Sequence, residues 1–482
     1  MTSTDGTGTT NGPGDDDSLV NAVELTLGDG TRLTRTGKPL GTGGQGSVWA
    51  FAERPDLAGK IYSRPPDPAQ LRRLAAMLRA DPLAGERLAA GQPPMLVWPV
   101  QLIEAAGRPV GYGMPILDQT VHVRLSGLLQ KNVRRTHYQG RAHWGFLLGV
   151  ASNLAFMTAE LHLRGFVVGD LSSANAMVDP QGYVTLLDCD SFAFTDPLTG
   201  EFFGSDVFTD DYAGPERHRG GPPTRHSDDF ALAVLVYQLL TSGNHPYDGS
   251  PRQGPAESTR KDNVLAGNSF LVHPDRVRKP RRQLPPETLP PEVLRLVRQT
   301  FGPGWREPAR RPSSAAWLEA LDEAKDSVVP CANVPDHHYG GHLRACPWCA
   351  HAAKGHPDPF TAGGGSTRVR AGGPSGRASA SASASASASA SASASVSASV
   401  SASASVSAKP SAPSVSYPAS AKASAPPPPP PPPPMPPNNG AKKPDPLTAG
   451  DIALAVTLIV GALAILVGVI WGIVALIAAI VN

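Results

Sequence analysis

Thirty consecutive residues without a charge, Ile452 to Val481, close a stretch of chain that cannot contribute to a folded core. As a helix rising about 1.5 Å per residue, such a run exceeds a bilayer core of about 30 Å, so it reads as one tilted membrane span. A buried core helix of this kind would have to be apolar all round at the end of a tether. Before it, residues 379–408 alternate Ser with Ala or Val, and Pro426 to Pro434 is unbroken proline. These compositions give a solvated coil and a polyproline II rod. Residues 361–447 are therefore expected to be a disordered linker and 452–481 a transmembrane helix. Lys442 and Lys443 precede the span and Asn482 alone follows it. The positive-inside tendency then places the N-terminal region on the cytoplasmic face of the cell membrane, single-pass, with the bilayer as a partner. The first 18 residues lack the pattern of a signal peptide. Small residues such as Gly461 and Gly468 offer a route to self-association.

The globular part must lie upstream. Residues 1–32 read as a disordered leader, and 33–325 mix apolar and charged residues as a folded domain does. With 43 basic against 41 acidic residues, the net charge of +2 speaks against nucleic acid held by bulk electrostatics. Short strands are predicted within Leu33 to Phe51, at Gly59 to Tyr62, and over Val97 to Ile103. Asp67, Pro68 and Gln70 supply an N-cap, a first-turn proline and a capping-box partner for a helix bearing Leu71, Leu74 and Leu78. Phe146, Leu147, Val150, Leu154, Met157 and Leu161 recur at helical spacing from Trp144 onward. Ala176–Val178 and Val184–Leu187 form a hairpin-like pair, and helices are predicted over Phe230–Leu240 and Pro291–Phe301. The expectation is an α+β fold of two lobes, the first rich in strands and the second helical.

Between two of the predicted strands stand Gly41, Gly43, Gly46 and Val48, in a G-x-G-x-x-G-x-V arrangement. Glycines let backbone N–H groups approach phosphate oxygens closely, although a plain Gly-rich hairpin has the same look. Lys60 follows fourteen residues after Gly46, between small and apolar neighbours, suited to nucleotide phosphates or simply to solvent. Asp170 and Asn175 are five apart, and Asp188 lies thirteen residues further on at the end of an apolar strand. Phosphoryl transfer needs a carboxylate to take a hydroxyl proton, and oxygen ligands for a hard cation such as Mg²⁺.

In order and spacing, Leu33 to Ala324 resembles the bacterial eukaryotic-type (Hanks-type) serine/threonine protein kinases. The resemblance implies a bilobal kinase fold, ATP and Mg²⁺ as cofactors, and a protein substrate. It assigns Gly41, Gly43, Gly46 and Val48 to the phosphate loop, Lys60 to the nucleotide, Asp170 to the catalytic base, and Asn175 and Asp188 to the metal. Gly214, Pro215 and Glu216 would close the activation segment, Ser227 to Ala233 would anchor it, and Arg311 would pair with Glu216. His162, in the Leu-His pair before the catalytic loop, reads as a packing or hydrogen-bonding residue.

Several positions depart from that pattern. Val168 and Gly169 replace His-Arg, Ser172 replaces a lysine, and Asp188-Cys189-Asp190 replaces Asp-Phe-Gly. The lysine would offset charge on the transferring phosphoryl group, so its loss is expected to slow transfer unless another cation substitutes. No glutamate occurs between Pro68 and Arg79, and Glu86 is the nearest one after that helix. Without the arginine, phosphorylation at Thr195, Thr199, Ser205 or Thr209 has no evident reader. The alternatives to a serine/threonine kinase acting near the membrane are a pseudokinase scaffold and a small-molecule phosphotransferase.

Residues 326–360 hold Cys331, His337, His338, His342, Cys346 and Cys349. The C-x-x-C pair with Cys331 and one histidine suits tetrahedral Zn²⁺. A cytosolic setting disfavours a disulfide. His337 is the expected fourth ligand, with His338 and His342 as rivals. The pattern resembles the small zinc-ribbon-like Cys/His modules that follow the catalytic domain in a divergent bacterial kinase subgroup.

Overall fold

Strand alternation in the first lobe sorts its side chains onto two faces of one antiparallel sheet. The computed structural model describes residues 24–80, 82–83, 92–253, 258–280 and 283–361. The Ser/Ala- and Pro-rich segment beyond residue 361, the expected membrane span at 452–481 and Glu86 lie outside the described residues. Seven strands, β1 (Leu25–Leu27), β2 (Arg32–Leu33), β3 (Arg35–Gly43), β4 (Gly46–Phe51), β5 (Leu57–Tyr62), β6 (Gln101–Ala105) and β7 (Arg108–Pro115), pair in the order β2-β1-β6-β7-β5-β4-β3. Leu57 and Ile61 point into a cluster with Phe51, Ile103 and Val110. Ala58 and Tyr62 join Tyr112 and Met114 on the other face, which is also the face of Lys60, because side chains alternate along β5.

Two strand expectations shift. Leu25–Leu27, assigned by sequence to the leader, is an interior strand, with Thr26 opposite both Arg32 and Glu104. Three residues are too few to announce a strand by alternation alone. The run expected from Val97 begins as a sheet strand only at Gln101. Pro99 offers no backbone donor, and Val97 N–H instead donates to Leu186 O at 3.0 Å, tying the lobes together.

Helix α1 (Pro68–Arg79) starts as its sequence specifies: Asp67 accepts from Gln70 N–H at 2.8 Å and the Gln70 side chain accepts from Asp67 N–H at 2.9 Å. The second lobe is built on α2 (Trp144–Leu163) and α3 (Arg225–Leu240), with α4 (Pro291–Phe301) and α5 (Ser314–Asp326) packed against them. Among the described residues α2 is the one helix long and apolar enough to cross a membrane, and it runs through the core of this lobe. Strands β9 (Ala176–Val178) and β10 (Val184–Leu186) form the expected hairpin, joined by β8 (Val123–Arg124). This curled antiparallel sheet beside a helical lobe fits the kinase-like bilobal fold.

The Cys/His segment folds as the hairpin β11 (Val328–Pro330) and β12 (His338–Gly340) followed by α6 (Pro347–Ala353). It shares the core of the helical lobe. Trp348 is fully buried, 6.3 Å from Trp144 and 4.9 Å from Phe360 between ring centroids, and His338 stacks on His143 at 3.9 Å.

Candidate active site

The glycine hairpin forms because β3 and β4 meet at Gly43 opposite Gly46. Its glycines have different reasons to be there. A Cβ on Gly46 would lie 2.1 Å from Ile61 O, so Gly46 is required by sheet packing, whereas Gly41 and Gly43 face open space. Val48 stands beside Lys60 across β4 and β5.

In the second lobe, backbone bonding joins the loop of Asp170 and Asn175 to the strand that ends before Asp188. Asn175 Nδ2 donates to Asp170 Oδ2 at 2.9 Å and to Asp170 O at 3.1 Å, and Leu187 N–H donates to Asn175 O at 2.8 Å. With its amide nitrogen spent on Asp170, Asn175 keeps its Oδ1 for a cation. Thr209 N–H caps Asp170 Oδ1 at 2.7 Å. Asp188 has left-handed backbone, φ 53°, and a half-exposed side chain. Lys60 Nζ reaches Asp188 Oδ1 at 3.0 Å and Asp190 Oδ2 at 2.5 Å. Burial pulls the Lys60 pKa down, but the Asp190 and Asp188 carboxylates outweigh it and hold the ammonium above its ordinary value. Lys60, Asp188, Asn175 and Asp170 are therefore linked in one chain of contacts, Lys60 to Asp188, Leu187 N–H to Asn175 O, and Asn175 to Asp170.

The loop that carries Asp170 hangs from Asp228 in α3. Val168 N–H and Gly169 N–H donate to its two oxygens at 2.7 and 3.0 Å, and His162 Nε2 lies 2.9 Å from Oδ2. Burial lowers the His162 pKa, while the Asp228 bond raises it more, for a net upward shift. Gly169 explains the missing arginine: φ is 77°, and a Cβ would stand 2.4 Å from Ser191 O. The Ser172 hydroxyl, at the position lacking a lysine, is buried without a hydrogen-bond partner.

Sequence reasoning passed over three arginines that hold the activation segment. Arg73 donates to Asp190 O at 2.7 Å, to Gly204 O at 3.0 Å and to Phe192 O. Arg79 pairs with Asp196 at 2.5 Å. The buried Arg217 donates to Gly221 O and Ser205 O at 2.6 and 3.1 Å, stacks over Phe208, and lines one recess with Gly169 and Asp170. Arg73 and Arg79 grip segment residues 117 to 131 positions away in sequence, so no local motif marks them.

Cys331, His337, Cys346 and Cys349 present ligand atoms all within 4.8 Å of one another. Two zinc–sulfur bonds of about 2.3 Å at a tetrahedral angle place sulfurs roughly 3.8 Å apart. Cys331 and Cys349 are 3.7 Å apart and His337 Nδ1 is 3.5 Å from both Cys346 and Cys349, so the donor set fits the ion. His337 Nε2 is fixed by Asp358 at 2.8 Å. The rival histidines are engaged elsewhere, His338 on His143 and His342 at Glu287 O.

Comparison with known proteins adds relatives to this geometry. Protein kinase YegI of Escherichia coli K12 is 30% identical over 328 residues, 66% of this chain and 49% of that one. The chain is similar to bacterial protein kinases. Serine/threonine-protein kinase PknD of Chlamydia felis is 26% identical over 208 residues, 39% of this chain and 21% of its own length. Serine/threonine-protein kinase PrkC of Bacillus subtilis is 28% identical over 110 residues, 23% of this chain and 17% of that one. These relatives support a bacterial kinase of the Hanks type. No protein-family model matches the chain. The chain spans about half the length of the YegI relatives it matches.

Proposed function

We propose that this chain transfers the γ-phosphoryl group of ATP to serine or threonine hydroxyls of protein substrates at the cytoplasmic face of a membrane. The observation that supports the reading is the chain of contacts that links Lys60 through Asp188 and Asn175 to Asp170. Asp170 takes the substrate hydroxyl proton as the new O–P bond forms and the bond to the ADP oxygen breaks. Lys60 orients the phosphates, and the hairpin amides at Gly41 and Gly43 approach them. Asn175 and Asp188 would hold Mg²⁺, which supplies charge neutralisation when bound. Arg217 brings positive charge into the recess of Asp170, where Ser172 offers none.

The fit of Cys331, His337, Cys346 and Cys349 to tetrahedral geometry supports a structural Zn²⁺ that fastens the C-terminal hairpin to the helical lobe. The apolar run Ile452 to Val481 supports a tether to the bilayer, with self-association through its small residues. The test is incubation of the purified chain with labelled ATP, Mg²⁺ and a generic protein substrate beside an Asp170→Ala version. Incorporation that disappears in the variant supports the kinase. Nucleotide binding without incorporation points to a scaffold, and labelling of small hydroxylated metabolites alone points to a small-molecule phosphotransferase.

A further inference from the structure

The kinase resemblance calls for a glutamate on the helix after Lys60, and α1 has none. Lys60 is nevertheless held by two carboxylates, both from the turn that follows β10. The two are not equivalent. The Asp188 side chain is 49% exposed and faces the cleft, whereas that of Asp190 is 16% exposed and points inward. Asp190 is also occupied on both oxygens, Oδ2 by Lys60 at 2.5 Å and Oδ1 by the Tyr112 hydroxyl at 3.2 Å.

We propose that Asp190 is the positioning residue for Lys60, replacing the carboxylate that α1 lacks and leaving Asp188 as the cleft-facing metal ligand. The proposal deepens, and rests on, the phosphoryl-transfer reading above. An ammonium that is 11% exposed needs a permanent anion to stay charged and in place. Asp188 is free to turn toward a cation in the open cleft. Asp190 is not, because Tyr112 on β7 and Lys60 on β5 clasp it from neighbouring strands.

Helix α1 acts on this pair from behind. Arg73 donates to the backbone oxygens of Asp190 and Phe192, so the helix fixes the turn that carries the carboxylate. The lysine clamp and the base of the activation segment are thus one unit. Cys189, between the two aspartates, anchors the turn that carries both: it is buried and its thiol lies 3.3 Å from Val97 O.

The rival assignment makes Asp190 a second metal carboxylate. Binding of MgATP to the purified full chain, read by displacement of a fluorescent ATP analogue, separates the two. Asp190→Asn is expected to weaken MgATP binding at least tenfold, and Asp190→Glu to recover to within about threefold of the wild type. Adding Asp190→Asn to Lys60→Met should cost less than twofold more, since both remove one clamp. The Mg²⁺ concentration giving half-maximal binding should stay within twofold of wild type in Asp190→Asn and rise in Asp188→Asn.

Unchanged MgATP binding in Asp190→Asn overturns the proposal. So do multiplicative losses with Lys60→Met, or an Mg²⁺ requirement raised as in Asp188→Asn. Should the asparagine variant fail to fold, Tyr112→Phe, which releases only Oδ1, is expected to weaken binding two- to fivefold, and no change counts against the clamp. A chain that binds MgATP but transfers nothing ends the phosphoryl-transfer reading and leaves the binding comparison to decide this one. A wild-type chain that binds no MgATP overturns both.

Discussion

Arg311 and Glu216 form a two-pronged ion pair, Nη1 to Oε1 at 2.6 Å and Nη2 to Oε2 at 2.8 Å. The guanidinium is fully enclosed and also donates to His226 O and Gly304 O at 2.7 and 2.9 Å. The end of the activation segment is thereby fastened to the loop before α5. Burial pushes the Glu216 pKa up, and the Arg311 bonds overcome this and hold it below the usual range. Glu216→Ala strands an enclosed charge and is expected to lower stability by about 3–5 kcal/mol, read as a denaturation midpoint. A loss under about 1 kcal/mol contradicts the pairing.

The segment's bonds to Asp170 and Arg217 run through backbone groups that alanine retains, while the Thr199 and Ser205 hydroxyls bond only within the segment. Thr209 offers Asp170 its backbone N–H, and Ser205 offers Arg217 its carbonyl. Thr199 reaches Asp196, which Arg79 and Leu198 N–H also satisfy. Alanine at Thr195, Thr199, Ser205 and Thr209 together is expected to leave turnover within tenfold of wild type. A larger loss shows that a hydroxyl or its phosphate is needed.

The glycine hairpin should separate packing from binding. Gly46→Ala forces a Cβ against Ile61 O and is expected to cost about 1–3 kcal/mol of stability. Gly41→Ala and Gly43→Ala meet no atoms and should leave the melting temperature nearly unchanged while raising KM for ATP several-fold. Equal melting shifts for all three sink this distinction.

Metal content offers a readout independent of phosphate chemistry. The purified chain should carry one equivalent of zinc by elemental analysis, lost in Cys346→Ser with Cys349→Ser. Asp358 orients His337 without touching the ion, so Asp358→Asn should weaken retention against a chelator roughly 10–100-fold. A metal-free wild type ends the proposal.

Stability should fall above neutrality through His162. Its folded pKa is raised above the ordinary 6.5, so the contribution of its bond to Asp228 is fully present below about 6.5 and is lost as pH rises through the folded value. Asp229 beside it is pushed up to about 6 by burial and titrates below that window. Melting temperature of the wild type should decline as pH rises from about 6.5 through the folded value, and the decline should flatten in His162→Gln. Parallel curves contradict the assignment.

Much of this architecture was legible from local signals. Asp67 with Gln70 started α1, the period of three and four from Trp144 ran α2, and Pro291 to Phe301 was a helix to the residue. Order and spacing also singled out Lys60, Asp170, Asn175 and Asp188, because motif residues sit at the ends of strands and turns whose lengths are fixed by geometry. The sequence further named Cys331, Cys346 and Cys349, since a knuckle is a short-range pattern. What tertiary structure alone decided were the partners: Asp190 for Lys60 across 130 residues, Asp358 for His337, and Arg73 and Arg79 for the segment after Asp188. It also decided which glycine is structural, by laying Gly46 against Ile61 O. A capping box or helical period is written within a few residues because its bonds close locally. A pairing between distant side chains leaves no such trace, for it depends on where packing of the whole core brings two backbones together.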